Sequence, residues 1–274
     1  MSRSTRDGFS LIECLVVIAI IAILIGMIAP ATRRVGGAAA SVQCKNNLKQ
    51  LILGLLDYES TDRPASSPSK LQADQPTARL FPTGCWGPGT LPEERLSWMV
   101  ELLPYVEQDT LYRQFDAQKG YAGNLPAGQQ CVRLFLCPGS EERGDRPAVS
   151  HYIALSGLGY GAAARPGGEI GNGFMGYDRA TSLEMIRDGA SNTIALMETR
   201  VNLGPWARGG MTNLRGFDLG DAPVSGDQGP FFSHNRGMHA AMADGSLRII
   251  RPSIDPRNLA AAITIAGGET INLD

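Results

Sequence analysis

The chain has 274 residues, of which 43% are hydrophobic, and its formal net charge is −2. This length allows one large domain or two small ones, and the ordinary apolar fraction excludes wholesale disorder. Because the charge is close to zero and no basic run of five or more residues occurs, nothing predicts a nucleic-acid partner. The composition therefore predicts a globular body, whose role has to be read from motifs.

The first element in chain order is an apolar run near the N-terminus. Residues 15–29 are all apolar or glycine, and a helix over residues 9–29 would be about 31 Å long, close to the hydrocarbon thickness of a bilayer. Glu13 lies within this segment, where a carboxylate costs roughly 3 kcal/mol. A cleaved secretory signal or a plain anchor leaves Glu13 unexplained, and a lipoprotein signal at Cys14 needs a small residue where Glu13 stands.

A cut between Gly8 and Phe9 would give Glu13 a partner. The new amine of Phe9 would lie one helical turn from Glu13, so it could pair with Glu13 of a neighbouring subunit when helices stack. In this interpretation the acid serves assembly, because its charge is satisfied only in the packed bundle.

This segment resembles the N-terminal segment of type IV prepilins and type II secretion pseudopilins. Gly8, Phe9, Glu13 and Pro30 match that family's cut-site glycine, phenylalanine, glutamate and helix-kinking proline, whereas Asp7 departs, since a basic residue more often precedes the glycine. The resemblance implies that prepilin peptidase removes the leader and that the new N-terminus is methylated. It also implies a single-pass inner-membrane protein with its body in the periplasm or at the cell surface.

After Pro30 the chain reads as helix again, because apolar residues recur at spacings of three and four as far as Leu55. We therefore expect a leader over residues 1–8 and one long helix over 9–58, bent near Pro30, whose part 9–29 spans the membrane. The second half of this helix is amphipathic and should lie on a core. Residues 59–274 would form the globular body.

The body reads as short elements separated by loops rich in glycine, proline and serine. Its glycine-rich loop lacks the strand–glycine–helix order of a phosphate-binding loop. The predicted elements are a loop over 60–95, a helix over 95–116 broken near Pro104, strands over 131–140 and 150–157, a loop over 157–176, a short helix capped by Thr181 or Ser182, a strand over 192–197, a hairpin with positive φ at both Asp244 and Gly245, and a C-terminal helix ending at Gly267–Gly268.

The five cysteines are an odd number without a C-x-x-C pair, so zinc-finger-like spacing is absent. Outside the cytoplasm some of them would form disulfides. Cys14 lies in the apolar run, which leaves three possible two-bridge pairings among Cys44, Cys85, Cys131 and Cys137.

The histidines are the main chemical candidates. His234 and His239 are five residues apart, and a regular strand would point them in opposite directions. We therefore favour a structural role, in which His234 hydrogen-bonds the loop near Arg251 or Asp255, over a metal site or catalysis. No metal ligand or catalytic residue is predicted from these positions.

Two further patterns could indicate ligand binding, but we prefer simpler structural interpretations. A glycine-rich loop could bind calcium, although its spacing fits no EF-hand and solvated acids explain it better; its acids are Asp218, Asp221 and Asp227. Three tryptophans could form a sugar platform but are more often partly buried anchors; they are Trp86, Trp98 and Trp206. Neither G-x-S-x-G nor H-E-x-x-H occurs, so we predict neither a cofactor nor an enzyme.

The chain also resembles a family of large prepilin-like proteins of unknown function, which carry a tail of His, nine residues, Asp and Gly. Here the tail is His234, Asp244 and Gly245, and the other matching segments are QCKNNLKQLILGLLDY, LLPYVEQDTLY, FLCPG, RDGASNTI and AGGE. The resemblance covers residues 9–56 and 95–274. It implies a pilin-like body and a disulfide between Cys44 and Cys137, but no biochemical activity.

We therefore expect an α+β, pilin-like fold in which a long N-terminal helix crosses the membrane and then packs on a mainly antiparallel sheet. The favoured function is a structural subunit of a type IV pilus-like or type II secretion pseudopilus-like assembly, with prepilin peptidase and other pilin-like subunits as partners. The second hypothesis is a membrane-anchored envelope protein that binds a glycan or other ligand without polymerising. An envelope hydrolase ranks third.

Overall fold

A computed structural model describes residues 11–61, 79–139, 148–220, 224–225, 230–234, 237–269 and 273, without the side chains of 24–38 and of Ser233. The chain divides into two compact units, Met1–Val42 and Gln43–Asp274. Its fold is α+β, with an N-terminal helix and a mixed, mainly antiparallel sheet, as the sequence predicted.

Helix α1 runs from Leu11 to Ser60. Over residues 11–23 its side chains are exposed and, apart from Glu13, apolar; Leu11 is 81% exposed and Ile12 69%. Among the residues with described placement, no helix is both long enough and apolar enough to cross a membrane. The predicted span includes residues 9–10, which lie outside the description.

The second unit begins with the amphipathic part of α1. A stripe of fully buried side chains recurs at spacings of three and four and joins the main core, as predicted; it consists of Cys44, Leu48, Leu51, Ile52 and Leu55. Burying each large aliphatic side chain contributes about 1.5–3 kcal/mol, so this stripe is a major stabilising element of the unit.

The described strands are short. They are β1 Cys85–Trp86, β2 Leu96–Ser97, β3 Tyr152–Leu158, β4 Ile194–Glu198, β5 Leu214–Phe217, β6 Ser233–His234, β7 Gly237–Met242 and β8 Leu247–Ile250. Strands β1 and β2 form a two-stranded sheet, and the others form a sheet of order β5-β3-β4-β7-β6, with β8 also paired to β7. Every pairing is antiparallel except that of β3 with β5.

Both faces of the main sheet are buried. Alternate residues of β3 contribute to two cores: Tyr152 and Ala154 face the core that contains the α1 stripe, whereas Ile153 and Leu155 face a second core. A C-terminal helix, Pro256–Ile263, covers this second core. Burial on both faces explains why these strands read as unbroken apolar runs in the sequence.

The remaining helices are α2 Trp98–Leu102, α3 Asp109–Tyr112, α4 Leu125–Gly128 and α5, the Pro256–Ile263 helix. Single 3-10 turns lie at Pro92–Glu94, Leu103–Val106, Tyr121–Asn124, Arg133–Phe135, Ala162–Ala164 and Leu183–Met185. Strands β3 and β4 confirm the strand predictions for 150–157 and 192–197, and a 3-10 turn contains Pro104, where a helix break was predicted.

Three predicted elements were wrong. In place of the strand predicted over 131–140, the structure has a 3-10 turn at Arg133–Phe135, because Phe135 N–H bonds back to Val132 and no described strand pairs with residues 131–139. The helix capped near Ser182 is a single 3-10 turn. The C-terminal helix is present but ends at Ile263, where Thr264 turns extended; beyond it, Asp188 accepts the N–H groups of Gly267 and Gly268 at 2.6 and 2.9 Å.

The turn between β7 and β8 also differs from its prediction. Gly245 has a φ of +86°, but Asp244 does not have a positive φ. Met242 N–H bonds Ser246 at 2.9 Å, so the loop has three residues and ends in a glycine bulge, instead of the expected two-residue turn. The Asp244 carboxylate accepts the Ser246 N–H at 2.8 Å, which stabilises this shape without a left-handed aspartate.

Replacing Gly245 by valine should lower the free energy of unfolding by about 2 kcal/mol, because a branched residue is strained at this φ. The added Cβ would also meet Leu56 Cδ1 at 2.9 Å. Urea denaturation would measure the loss. Gly161→Val is the matched control, since Gly161 has a φ of −85° and nothing within 4 Å of a Cβ; equal losses in both variants would contradict the prediction.

The glycine-rich loop over 157–176 is organised by the buried side chain of Arg179, which the sequence did not single out. The guanidinium of Arg179 donates to the carbonyls of Ser156, Arg165 and Met175 at 2.9–3.0 Å and to the Asn172 side chain at 3.0 Å. Burial, followed by the nearby Arg165 charge, lowers the pKa of Arg179 to about 10. The loop is therefore folded around one side chain.

Candidate functional site

A buried glutamate at the end of β4 is the centre of the most polar cluster in the described body. Glu198 Oε2 lies 2.9 Å from Nε2 of His234 and 3.3 Å from Nδ1 of His239. The Glu198 side chain is 0% exposed, and the His234 side chain 6%. The two imidazole rings stack with their centroids 4.4 Å apart.

The expectation that His234 and His239 point in opposite directions was wrong. His234 lies in β6 and His239 in β7, and the two strands pair antiparallel, with His234 opposite Gly237. The two histidines are thus on adjacent strands. His234 donates to Glu198, where we expected a partner near Arg251 or Asp255; Glu198 itself carried no motif by which the sequence could reveal it.

The disulfide lies next to this cluster. The structure joins Cys44 of α1 to Cys137, the pair implied by the family resemblance. Cys137 Sγ is 3.7 Å from His234 Nε2. Cys14 and Cys131 are exposed free thiols, and Cys85 is a buried thiol whose pKa burial raises to about 12.

The segment that contains Gly139 covers the His234 ring. A Cβ added to Gly139 would lie 2.9 Å from His234 Cε1, so only glycine allows this approach. Arg200 donates to the Gly139 carbonyl at 2.6 Å and stacks 3.5 Å above the Phe232 ring, which itself contacts the His234 ring. The shape of this covering segment therefore depends on packing and on one arginine.

The electrostatics favour an ionised Glu198. Burial alone would raise its pKa, but the hydrogen bonds and charges of His234 and His239 outweigh burial and hold the pKa below its ordinary value of 4.5. Glu198 Oε1 is buried and has no hydrogen-bond partner among the described residues. The cluster thus brings an anionic acceptor, two imidazole rings and two sulfur atoms together in one buried place.

Four of these groups could hold a metal ion together. One ligand atom from each of Cys44, Cys137, Glu198 and His234 lies within 4.8 Å of the other three. This convergence was not foreseen, because sequence spacing separates the four residues widely. In the structure the two sulfur atoms are bonded to each other, so the cluster as it stands offers only His234 and Glu198.

The matching sequence motifs meet where α1 joins the sheet. Lys49 Nζ donates to the Gly245 carbonyl at 2.6 Å, and Asn47 Nδ2 donates to the Leu136 carbonyl at 3.0 Å. The hydroxyl of Tyr152 donates to the Cys44 carbonyl at 3.2 Å. The Gly245 end of the His234–Gly245 tail and the segment before Cys137 therefore both attach to α1, which indicates a structural role for these residues.

The structure places the other predicted site residues as follows. Gly8, Phe9, Asp221 and Asp227 lie outside the described residues, as does the Pro30 side chain, and Glu13 is exposed on α1. The described acid of the calcium candidate, Asp218, accepts the Gly220 N–H at 2.9 Å. All three tryptophans are buried, which contradicts a sugar platform; their Nε1 groups donate to the carbonyls of Ser97, Asn213 and Gln130.

Comparison with known families agrees with both resemblances. Residues 3–29 match the prokaryotic N-terminal methylation motif, which marks the chain as a prepilin-like protein. Residues 37–228, more than half of the chain, match the model described as protein of unknown function (DUF1559), so the protein belongs to that family. No curated protein matches the chain, and no solved structure matches it either.

Proposed function

We propose that this protein is a structural subunit of a type IV pilus-like or type II secretion pseudopilus-like assembly. The match to the methylation motif over residues 3–29 carries this proposal, because that motif implies processing by prepilin peptidase and a membrane-anchored envelope protein. In this proposal residues 1–8 are the leader, residues 9–29 anchor the subunit in the inner membrane, and residues 59–274 form the exported body.

The exposed apolar residues of α1 support an assembly role. Leu11, Ile12 and Ile18 are 66–81% exposed, and such a surface is stable only in lipid or against other helices. Glu13 lies on the same stretch. A carboxylate gains nothing in a plain anchor, whereas it pairs with the new amine of a neighbouring subunit in a bundle.

The histidine cluster supports a role without catalysis. Its central groups are almost fully shielded, so a substrate in solution has no path to them in this conformation. Close to this cluster, Lys49 and Asn47 hold α1 to the carbonyls of Gly245 and Leu136. We therefore propose that the family's tail motif maintains the fold, and that the protein is not an enzyme.

Processing is tested by the mature N-terminus. Mass spectrometry of membrane fractions should show a chain that starts at Phe9 and carries one extra methyl group on its amine. In cells that lack prepilin peptidase the same chain should keep its leader. A chain that starts at Thr32 would instead indicate ordinary signal cleavage and would contradict the proposal.

Assembly is tested at Glu13. Glu13→Leu should leave processing intact but reduce cross-linked multimers roughly tenfold or more, because a desolvated charge pair is worth about 2–5 kcal/mol. Val16→Leu, an apolar exchange in the same run, is the matched control. The competing hypothesis, an envelope protein that binds a ligand without polymerising, predicts an unchanged or more stable anchor and no multimers in either chain.

A further inference from the structure

Residues from four separate segments bring two sulfur atoms, an imidazole and a carboxylate to one buried point. Cys44 lies in α1, and Cys137 lies just before Gly139, which covers His234. Glu198 is the last residue of β4, and His234 lies in β6. A disulfide needs neither a buried carboxylate nor an imidazole beside it. The burial of Glu198, whose Oε1 atom has no hydrogen-bond partner among the described residues, is therefore unexplained by the disulfide alone.

The distances are close to those of a tetrahedral metal site. Zinc binds sulfur at about 2.3 Å and imidazole nitrogen at about 2.0 Å, so a sulfur and a nitrogen ligand lie about 3.5 Å apart. Cys137 Sγ and His234 Nε2 are 3.7 Å apart, and His234 Nε2 and Glu198 Oε2 are 2.9 Å apart. Once the S–S bond is broken, the two sulfur atoms have to separate to about 3.8 Å, and the nitrogen and oxygen atoms to about 3.3 Å.

We propose that the reduced form of this protein binds one zinc-class divalent cation through Cys44, Cys137, His234 and Glu198. A dithiol supplies the reduction: it gives two electrons and two protons to the S–S bond and itself becomes a disulfide. The two cysteine thiols then lose their protons to solvent as the cation binds. The His234 ring proton moves from Nε2 to Nδ1, so that His234 coordinates as a neutral ring through Nε2, and Glu198 coordinates through its carboxylate.

The surrounding residues suit this role. His239 Nδ1 lies 3.3 Å from Glu198 Oε2, where it can orient the carboxylate as outer-shell partners of metal ligands do. Thiolate, imidazole and carboxylate together select zinc over calcium or magnesium, which prefer oxygen ligands. The same two cysteines then hold α1 to the segment before Gly139 in both redox states, through a covalent bond or through the cation.

The test uses the full chain in detergent, reduced with a phosphine that does not bind metal. Adding Co²⁺ should produce a thiolate-to-cobalt charge-transfer band that saturates at one ion per chain, and Zn²⁺ should remove it. The oxidised chain should show no such band. Circular dichroism, recorded alongside, reports whether the reduced chain remains folded without metal.

Variants identify the ligands. His234→Gln, which can still donate to Glu198, and Cys137→Ser should each weaken binding at least about tenfold. Cys131→Ser removes an exposed free thiol and should leave both stoichiometry and affinity unchanged. A reduced, folded chain without the band, or a band unaffected by His234→Gln, would overturn the proposal. If reduction unfolds the chain, Zn²⁺ must restore the circular dichroism signal, and failure to do so would overturn the proposal equally.

Discussion

Replacing Cys44 and Cys137 together by alanine should lower the free energy of unfolding by about 4–5 kcal/mol. The disulfide spans 93 residues, and closing a loop of that length removes this much conformational free energy from the unfolded chain in the chain-entropy model. Both cysteines are buried, so the variant also loses some packing. The effect is a large fraction of the total stability of an ordinary domain.

Urea denaturation of the oxidised wild-type chain and the double variant would measure this loss. Cys131→Ser should change stability by less than about 0.5 kcal/mol, because its thiol is exposed and unpaired. Reducing the wild-type chain in the presence of a strong metal chelator should reproduce most of the loss. A double variant as stable as the wild-type chain would show that the bond does not constrain the unfolded state.

Glu198→Gln should cost about 3 kcal/mol near neutral pH. The carboxylate is fully buried and accepts from His234 at 2.9 Å, and removing the charge from such a cluster leaves buried polar groups without their partner. Glutamine has nearly the same volume, so the loss reports the charge and its hydrogen bonds, not a cavity. Glu184→Gln, at an exposed position, is the control and should be close to neutral.

The cost of Glu198→Gln should depend on pH in a definite direction. The pKa of Glu198 in the folded chain lies below 4.5, so the folded state binds fewer protons than the unfolded state around this pH. The stabilisation by the ionised Glu198 carboxylate is fully present above pH 4.5 and is lost as the pH falls through the folded-state pKa of Glu198. The stability difference between wild type and variant should therefore narrow below pH 4.5, and a constant difference would contradict the assignment.

The sequence predicted the elements whose signal is local. The stripe from Cys44 to Leu55 follows helical periodicity, and β3 and β4 are apolar runs bounded by turn residues, so each appears close to its predicted range. The parallel pairing of β3 with β5 carries no such signal, because it joins distant segments. The 3-10 turn at Arg133–Phe135 resembles a strand in composition, and only the absence of a pairing partner along it decides its shape.

The candidate site was only partly predictable for the same reason. His234 was singled out by its motif, but its orientation depends on the antiparallel pairing of β6 with β7, which places it beside His239 on the neighbouring strand. Glu198 belongs to no motif and becomes important only through the strand order β4-β7-β6. The Cys44–Cys137 pair came from family resemblance, since cysteine spacing alone allowed three pairings.

The position of the disulfide along α1 has a mechanical consequence. Cys44 is the first residue of the buried stripe, and Leu48 to Leu55 follow it towards the C-terminus. A pull on the helix from its N-terminal side therefore reaches the covalent bond before it reaches the apolar contacts. The force passes at Cys44 through the disulfide into the segment before Gly139, so the buried stripe beyond Cys44 is protected from shear. The body should therefore resist extraction by tension more strongly than its non-covalent packing alone would allow.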